Sequence, residues 1–403
     1  FLPVQLGSTA RFRFFSALWL LGAFSLVYFT SFCHRSFFDL NPYIVIYSNF
    51  PFHLEDWSPL SVNKGIGGSE EAIIYLSQEL VKLGYQVTVF NRCGDMEGEY
   101  KGVVYQSVDK FNTEDNFNVL IFHRVWTQPM CMKVKARKTA VWMHDNPQLF
   151  PPVEESTRLE FLASFDKLFM LSNFHKSLLP DWIPEDKIFL TTNGINLEDF
   201  NLTGIARNPK RLISISDYAR GIENLLTQWD QVLKEVPDVE LHIFYGWQGI
   251  DALINSPYIE KFPYLPDKKQ KLLQLFEQKN VYEHGRIGHK ELVEELFQSG
   301  IWVYPCHTAI EIFCISAWKA QAAGCVPVVT TYAGLDETVK SGIRIKGPAG
   351  DEETNNAFIA AVIDLLKNPE KQESLRQEAL ALKDSFGWDK VAQQWHEEFI
   401  SAG

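Results

Sequence analysis

From Asn41 onward, short runs of consecutive apolar residues alternate with stretches whose apolar positions recur three or four apart. Ile44-Val45-Ile46-Tyr47 reads as a buried strand. The segment Glu70 to Leu83 places Ile73, Ile74, Leu76, Leu80 and Leu83 at helical spacing, and Gly84 closes it as a glycine after a helix does. Val87-Thr88-Val89-Phe90, Val119-Leu120-Ile121-Phe122, Ala140-Val141-Trp142-Met143 and Lys167-Leu168-Phe169-Met170-Leu171 predict further strands, with a helix around His175 to Leu179. Strands that read as continuous apolar runs and alternate with helices predict a parallel sheet covered on both faces.

The alternation then restarts. Strands are predicted at Arg211 to Ile215, Leu241 to Tyr245, Val281 to His284, Ile301 to Tyr304 and Val326 to Thr330. Helices are predicted at Glu223 to Leu233, Lys268 to Gln278, Lys290 to Gln298 and Ser316 to Ala323. Asn201 to Pro209 has no periodicity and carries Asn, Gly and Pro, so it reads as a linker. The expected organisation is α/β, with two Rossmann-like parallel-sheet domains at 41–203 and 204–385. A cleft between them faces the carboxyl ends of the strands, where ligands of such folds bind. A last helix at 386–403 places Val391, Trp395 and Phe399 four apart on one face.

Composition narrows the class. The formal net charge is −12, with 46% hydrophobic residues. An acidic chain lacks the basic face of a nucleic-acid protein, so no nucleic-acid partner is expected. The six cysteines contain no C-x-x-C pair and read as reduced, mostly buried thiols. With no Asp-x-Asp motif and no His/Asp/Glu cluster, a dedicated metal site is not expected. Residues 14–33 carry no charge and have the length of a membrane span of about 20 residues. Two readings of residues 1–40 stay open: a membrane anchor, or an extension foreign to the folded protein. The expected location is cytoplasmic, with membrane association through residues 14–33 under the first reading.

Gly65-Ile66-Gly67-Gly68-Ser69-Glu70 follows the first strand and opens the first helix. A dinucleotide-binding turn needs G-x-G-x-x-G. Glu70 stands where the third glycine belongs, so a carboxylate would approach a pyrophosphate, which weighs against a dinucleotide-dependent oxidoreductase. The glycines permit a tight turn and a close backbone approach, and Ser69 is a suitable N-cap.

Further pieces are spread in order along the chain. They are His144-Asp145, Ser172-Asn173-Phe174, Asn193-Gly194-Ile195, Arg220-Gly221, Tyr245-Gly246 and Glu311-Ile312-Phe313-Cys314-Ile315. Ala323-Gly324-Cys325-Val326-Pro327-Val328 and Gly334-Leu335-Asp336-Glu337 follow. With Gly67-Gly68-Ser69-Glu70, this set resembles the retaining glycosyltransferases of family 4, also called group 1, which have the GT-B fold. The resemblance implies a nucleotide diphosphate sugar as co-substrate, no metal or other cofactor, and an acceptor hydroxyl on a glycan, lipid or protein. It makes the first domain the acceptor side and the second the donor side, with the last helix crossing back to the first domain. Gly67, Gly68 and Ser69 would approach the donor. Arg220 and Gly221 would hold its diphosphate, as Arg suits bidentate phosphate contacts. Glu311 would accept hydroxyls of the donor sugar, while the amides of Phe313, Cys314 and Ile315 face sugar and phosphates at a helix start. His144 would lie near the reacting sugar. Asp145 belongs to the acceptor side, and Asn193 reads as a mainly structural hinge residue.

Two departures stand out. The basic residue that the family often has five or six positions before Arg220 is absent, since Ser214 and Ile215 stand there; Arg286 is a substitute candidate. The second carboxylate that the family places eight residues after Glu311 is replaced by Lys319. A cation cannot accept ribose hydroxyls but can contact a phosphate or sugar. The alternative reading is therefore a non-catalytic sugar-nucleotide or glycan-binding protein of the same fold.

Overall fold

The computed structural model describes residues 43–307, 310–347 and 350–401. The stretch 14–33 lies outside them. Among the described residues no helix is long and apolar enough to cross a membrane.

The first half forms an eight-stranded sheet. Its strands are β1 (Tyr43–Tyr47), β2 (Gln86–Asn91), β3 (Gly98–Tyr100), β4 (Val103–Ser107), β5 (Asn116–His123), β6 (Lys135–Trp142), β7 (Lys167–Met170) and β8 (Ile188–Leu190). The order is β3-β4-β2-β1-β5-β6-β7-β8. Every pairing is parallel except that of the edge strand β3 with β4. The edge strand β3 has no apolar run: it is Gly-Glu-Tyr and its glycine and glutamate are exposed, so periodicity did not predict it. The central strands are buried on both faces, as the continuous apolar runs require. Two helices of this half matter below: α1 (Gly68–Lys82) after β1, and α2 (Asn173–Ser177) after β7.

The second half forms a six-stranded sheet in the order β11-β10-β9-β12-β13-β14. Its strands are β9 (Asn208–Ser214), β10 (Glu240–Phe244), β11 (Val281–Gly285), β12 (Ser299–Tyr304), β13 (Val326–Thr330) and β14 (Ile343–Ile345), all paired in parallel. Helix α3 (Ile315–Ala322) precedes β13. One predicted element differs. Glu223 to Leu233 is two helices, Ile222–Leu226 and Trp229–Glu235, because Gln228 leaves the helical conformation. The break lets the buried Trp229 indole donate to the Lys279 carbonyl at 2.9 Å.

The chain returns at its end. Helix α4 (Trp388–Trp395), with the wider turn His396–Ile400, leaves the second half and packs on the first sheet. The Trp395 ring lies 4.9 Å from Trp142 and 4.6 Å from Phe169, and Phe399 lies 5.0 Å from Phe169. The Trp395 indole donates to Thr191 at 2.9 Å. Tyr85 pairs with His396 at 2.6 Å. Val391, Trp395 and Phe399 are the apolar face predicted from their spacing of four, and all are buried.

Candidate functional site

Both sheets direct the carboxyl ends of their central strands into one cleft. On the second-domain side, β9 leads to Arg220 and β12 to Glu311. Asp217 accepts from the Ala219 amide at 2.8 Å and fixes the turn that carries Arg220. Gly221 follows with φ +116°, and a side chain there would collide with the Pro305 carbonyl after β12. Only glycine lets this turn pass so close to the neighbouring strand. Arg220 thereby reaches Glu311: its Nη1 donates to Oε2 at 3.0 Å. Tyr304, at the end of β12, donates its hydroxyl to the same oxygen at 3.0 Å. Glu311 is buried. Its Oε1 has no protein hydrogen-bond partner among the described residues.

The electrostatics follow from this triangle. Burial works against the Arg220 charge, but Tyr304, Glu311, Asp217 and Tyr245 outweigh it and hold the guanidinium protonated. Burial, and then Glu311, push the Tyr304 phenol well above its ordinary value, so it stays a hydrogen-bond donor. Burial does the same to the Cys314 thiol, with Glu311 as the second cause. Sequence reasoning missed Tyr304; its place at a strand end three residues after the buried Ile301 was the available signal.

The first-domain wall is built around a residue the sequence did not single out. Arg124, just beyond β5, has φ +76°. Its fork binds Asp145 through Nε–Oδ2 at 2.6 Å and Nη2–Oδ1 at 2.8 Å. Its Nη1 donates to Ser69 at 3.2 Å and to Glu70 at 3.3 Å, and its guanidinium lies 3.5 Å above the Phe50 ring. Burial pushes the Glu70 carboxyl up, yet His53, Arg124 and the Ser69 hydroxyl together hold it below the ordinary carboxylate value. Ser69 was expected to cap α1. The cap position is instead Gly67, without a side-chain bond, and the Ser69 hydroxyl donates to Glu70 at 3.0 Å. A carboxylate one residue away and the Arg124 fork compete successfully for it.

His144 follows β6, with its ring 4.6 Å from Trp142 and 4.8 Å from His123. Its Nε2 is buried without a partner among the described residues. Burial, reinforced by Arg124 and His175, holds it well below the ordinary histidine value, so it is neutral. Asp145 accepts from Arg124 through its side chain, and its backbone carbonyl pairs with His175 Nε2 at 3.0 Å. Asn193 is buried beside Gly194, which packs directly on Trp388 at the base of α4.

The domains touch at several named points. Ser172 donates to the Ile312 carbonyl at 2.7 Å, next to Glu311. Glu337 accepts the amides of Asn173 and Phe174 at 2.9 and 2.6 Å, which seats a carboxylate on the start of α2. Arg286 binds Glu55 of the first domain at 2.6 Å. The glycines of the first turn also meet the other domain. A side chain on Gly65 would strike the Ile287 carbonyl, and one on Gly68 would lie 3.3 Å from Ile315. Gly288, facing them, would strike the Asn63 carbonyl at 2.5 Å. Here the glycines serve a close approach between two domains. Lys319 also crosses the cleft, with its Nζ 2.6 Å from Glu71.

The structure thus brings Arg220, Gly221 and Glu311 together, with Phe313, Cys314 and Ile315 leading into α3 beside them. The Phe313 side chain packs edge-on against Trp318 at 4.8 Å, so its ring belongs to the core. Burial, and then Asp217, push the Tyr245 phenol above its ordinary value, while Arg220 and Arg286 oppose the shift. His144 and Asp145 stand on the opposite wall. Among the described residues no group of three His, Cys, Asp or Glu residues is gathered so as to hold a metal ion. Of the cysteines there, Cys93, Cys306, Cys314 and Cys325 are buried and Cys131 is exposed.

Residues 197–381 match the family model described as glycosyl transferases group 1. The chain carries a group 1 glycosyltransferase domain. No curated protein matches the chain. Solved structures are similar over most of their length. Sucrose-phosphate synthase from Thermosynechococcus elongatus has a TM-score of 0.65 at 16% identity, covering 90% of this chain and 99% of its own. Anabaena HepE, solved with UDP-glucose, has 0.63 at 13%, covering 90% and 100%. A Rickettsia africae glycosyltransferase has 0.58 at 16%, covering 88% and 97%. At such identities the likeness concerns the fold, which is GT-B: two Rossmann-like domains across a cleft with a returning helix. The chain is a glycosyltransferase by the family that its second half matches. Its group 1 segment contains Arg220, Glu311 and Lys319 and ends before α4 begins.

Proposed function

We propose that the cleft transfers a sugar from a nucleotide diphosphate sugar to an acceptor hydroxyl with retention of anomeric configuration. The diphosphate sits against Arg220, the Gly221 turn and the start of α3. The supporting observation is the Arg220–Glu311–Tyr304 triangle, which leaves Glu311 Oε1 without a partner among the described residues. A buried carboxylate oxygen held in place by two donors is suited to accept sugar hydroxyls. The fixed cation beside it meets the charge that grows on a departing diphosphate, which is where electrostatic assistance acts. Helix α3 adds its positive end.

The acceptor enters from the first-domain wall, near His144. A neutral imidazole can hold a hydroxyl without imposing a charge. Arg124 is committed to Asp145 and Glu70, so this wall carries no uncompensated cation there and favours an uncharged hydroxyl compound, whether glycan, lipid headgroup or protein side chain. Asp145 and Asn193 act by holding the wall and hinge in place.

UDP-glucose is the first donor to test, because HepE of the same fold was solved with it. Thermal unfolding with UDP-, GDP- and ADP-linked sugars, followed by product analysis, tests the reading. A stabilising donor whose turnover falls on the order of 10²-fold in Glu311→Ala supports it. Absence of stabilisation by every sugar nucleotide refutes it. The non-catalytic alternative rests on Lys319 replacing a carboxylate; stabilisation without product would favour it.

A further inference from the structure

The contact between Lys319 and Glu71 has no role in the chemistry above. Glu71 lies in the first turn of α1, and Lys319 lies one turn into α3, four residues after Ile315. They come from different domains and meet at 2.6 Å with side chains 9% and 3% exposed. The Arg286–Glu55 pair, which also crosses the cleft, is 20% and 40% exposed. On the other side of Glu71, His289 Nδ1 stands 3.7 Å from Oε1. Close backbone packing surrounds the pair: Gly68 abuts Ile315, Gly65 abuts Ile287 and Gly288 abuts Asn63.

A buried ion pair adds little net stability, because desolvation offsets attraction. Removing one partner is costly, since the other charge stays buried and unpaired. Such a pair therefore selects one arrangement over others. In the structure the two charges satisfy each other with α1 and α3 in contact. When the domains separate, each charge hydrates alone. The ammonium is used by Glu71, so it is not displayed to a phosphate.

We propose that Lys319 is a positioning residue for transfer: its ion pair with Glu71 latches the two domains in the closed register that sets Arg220 and Glu311 opposite the first-domain wall. This rests on the function proposed above. Lys319, standing where a carboxylate was expected, then finds its partner in Glu71 across the cleft.

The test uses the full chain with Lys319→Ala, Lys319→Glu, Lys319→Arg and the charge swap Glu71→Lys/Lys319→Glu. Hydrogen exchange is read over residues 69–73 and 317–321. Lys319→Ala should raise exchange at least tenfold in both segments together. Lys319→Glu, which sets two carboxylates face to face, should raise it further. Lys319→Arg and the swap should return it to within threefold of the native chain. UDP titrated as a probe should bind the Lys319→Ala variant within threefold of native affinity. With the sugar nucleotide identified by the donor panel, kcat should fall at least tenfold in Lys319→Ala and recover in the swap. Unchanged exchange in Lys319→Ala overturns the latch. So does a swap no better than Lys319→Glu, or faster turnover in Lys319→Glu. Tenfold weaker UDP binding with native exchange would make Lys319 a donor contact instead. If no sugar nucleotide is turned over, the proposed function fails, while the exchange measurements still decide the latch.

Discussion

Arg124→Ala is the sharpest perturbation of the first-domain wall. The native guanidinium makes four hydrogen bonds, two to Asp145, one to Ser69 and one to Glu70. The Glu70 and Asp145 side chains are only 4% and 12% exposed. Removing the cation leaves two nearly buried carboxylates without their shared partner, with His53 3.4 Å from Glu70 as the remaining basic neighbour. Breaking a buried pair on one side costs about 3 to 5 kcal/mol. The cost should depend on pH with a definite sign. Glu70 is held below its ordinary value in the native protein, so its contribution is present at neutral pH and lost on acidification. The variant lacks that contribution at neutral pH, and its Glu70 takes up a proton more readily. The difference between native and variant should therefore be largest near pH 7 and shrink as pH falls through the carboxylate range, toward about pH 4. Urea unfolding followed by tryptophan fluorescence at pH 7 and pH 4 measures it. Arg124→Lys should retain only part of the stability, because an ammonium cannot form the two-pronged bond to Asp145. A loss below about 1 kcal/mol at pH 7, or an equal loss at both pH values, would refute the network as the organiser of this wall.

Two other outcomes follow from the same geometry. Gly221→Ala combines a φ of +116° with a collision against the Pro305 carbonyl. It should displace Arg220 and weaken binding of the nucleoside diphosphate at least tenfold, read by calorimetric titration, while circular dichroism stays native. The pH dependence of the native chain should bear the mark of buried neutral histidines. Burial holds His175 and His289 down to about 4. Their stabilisation is complete above the ordinary histidine value and is lost as pH falls from about 6.5 toward 4, up to roughly 3 kcal/mol each. Equal urea stability at pH 8 and pH 5 would show that these rings are not held neutral.

The apolar runs and the helical spacings determined the two parallel sheets, because strands buried on both faces leave a continuous hydrophobic signature. They also determined the contact face of the last helix, since Val391, Trp395 and Phe399 fall on one side wherever that helix docks. Edge strand β3 escaped, because Gly98-Glu99-Tyr100 buries too little to leave a pattern. Arg220 and Glu311 were legible through their motifs, but their 3.0 Å contact across 91 residues was not. Tyr304 looked like one more strand residue until the strand end placed its hydroxyl on Glu311. Arg124 belongs to no motif in the sequence, and only the packing of β5 and β6 sets it beside Asp145. The first glycine turn changed meaning most. In sequence its glycines described a backbone that could approach a ligand. In the fold, Gly65 and Gly68 meet Ile287 and Ile315 of the other domain, and Glu71 meets Lys319. Local sequence fixes which residues share a strand, a helix face or a turn. Which charge finds which partner depends on how distant segments pack, because pairing acts over a few ångströms in space whatever the separation along the chain.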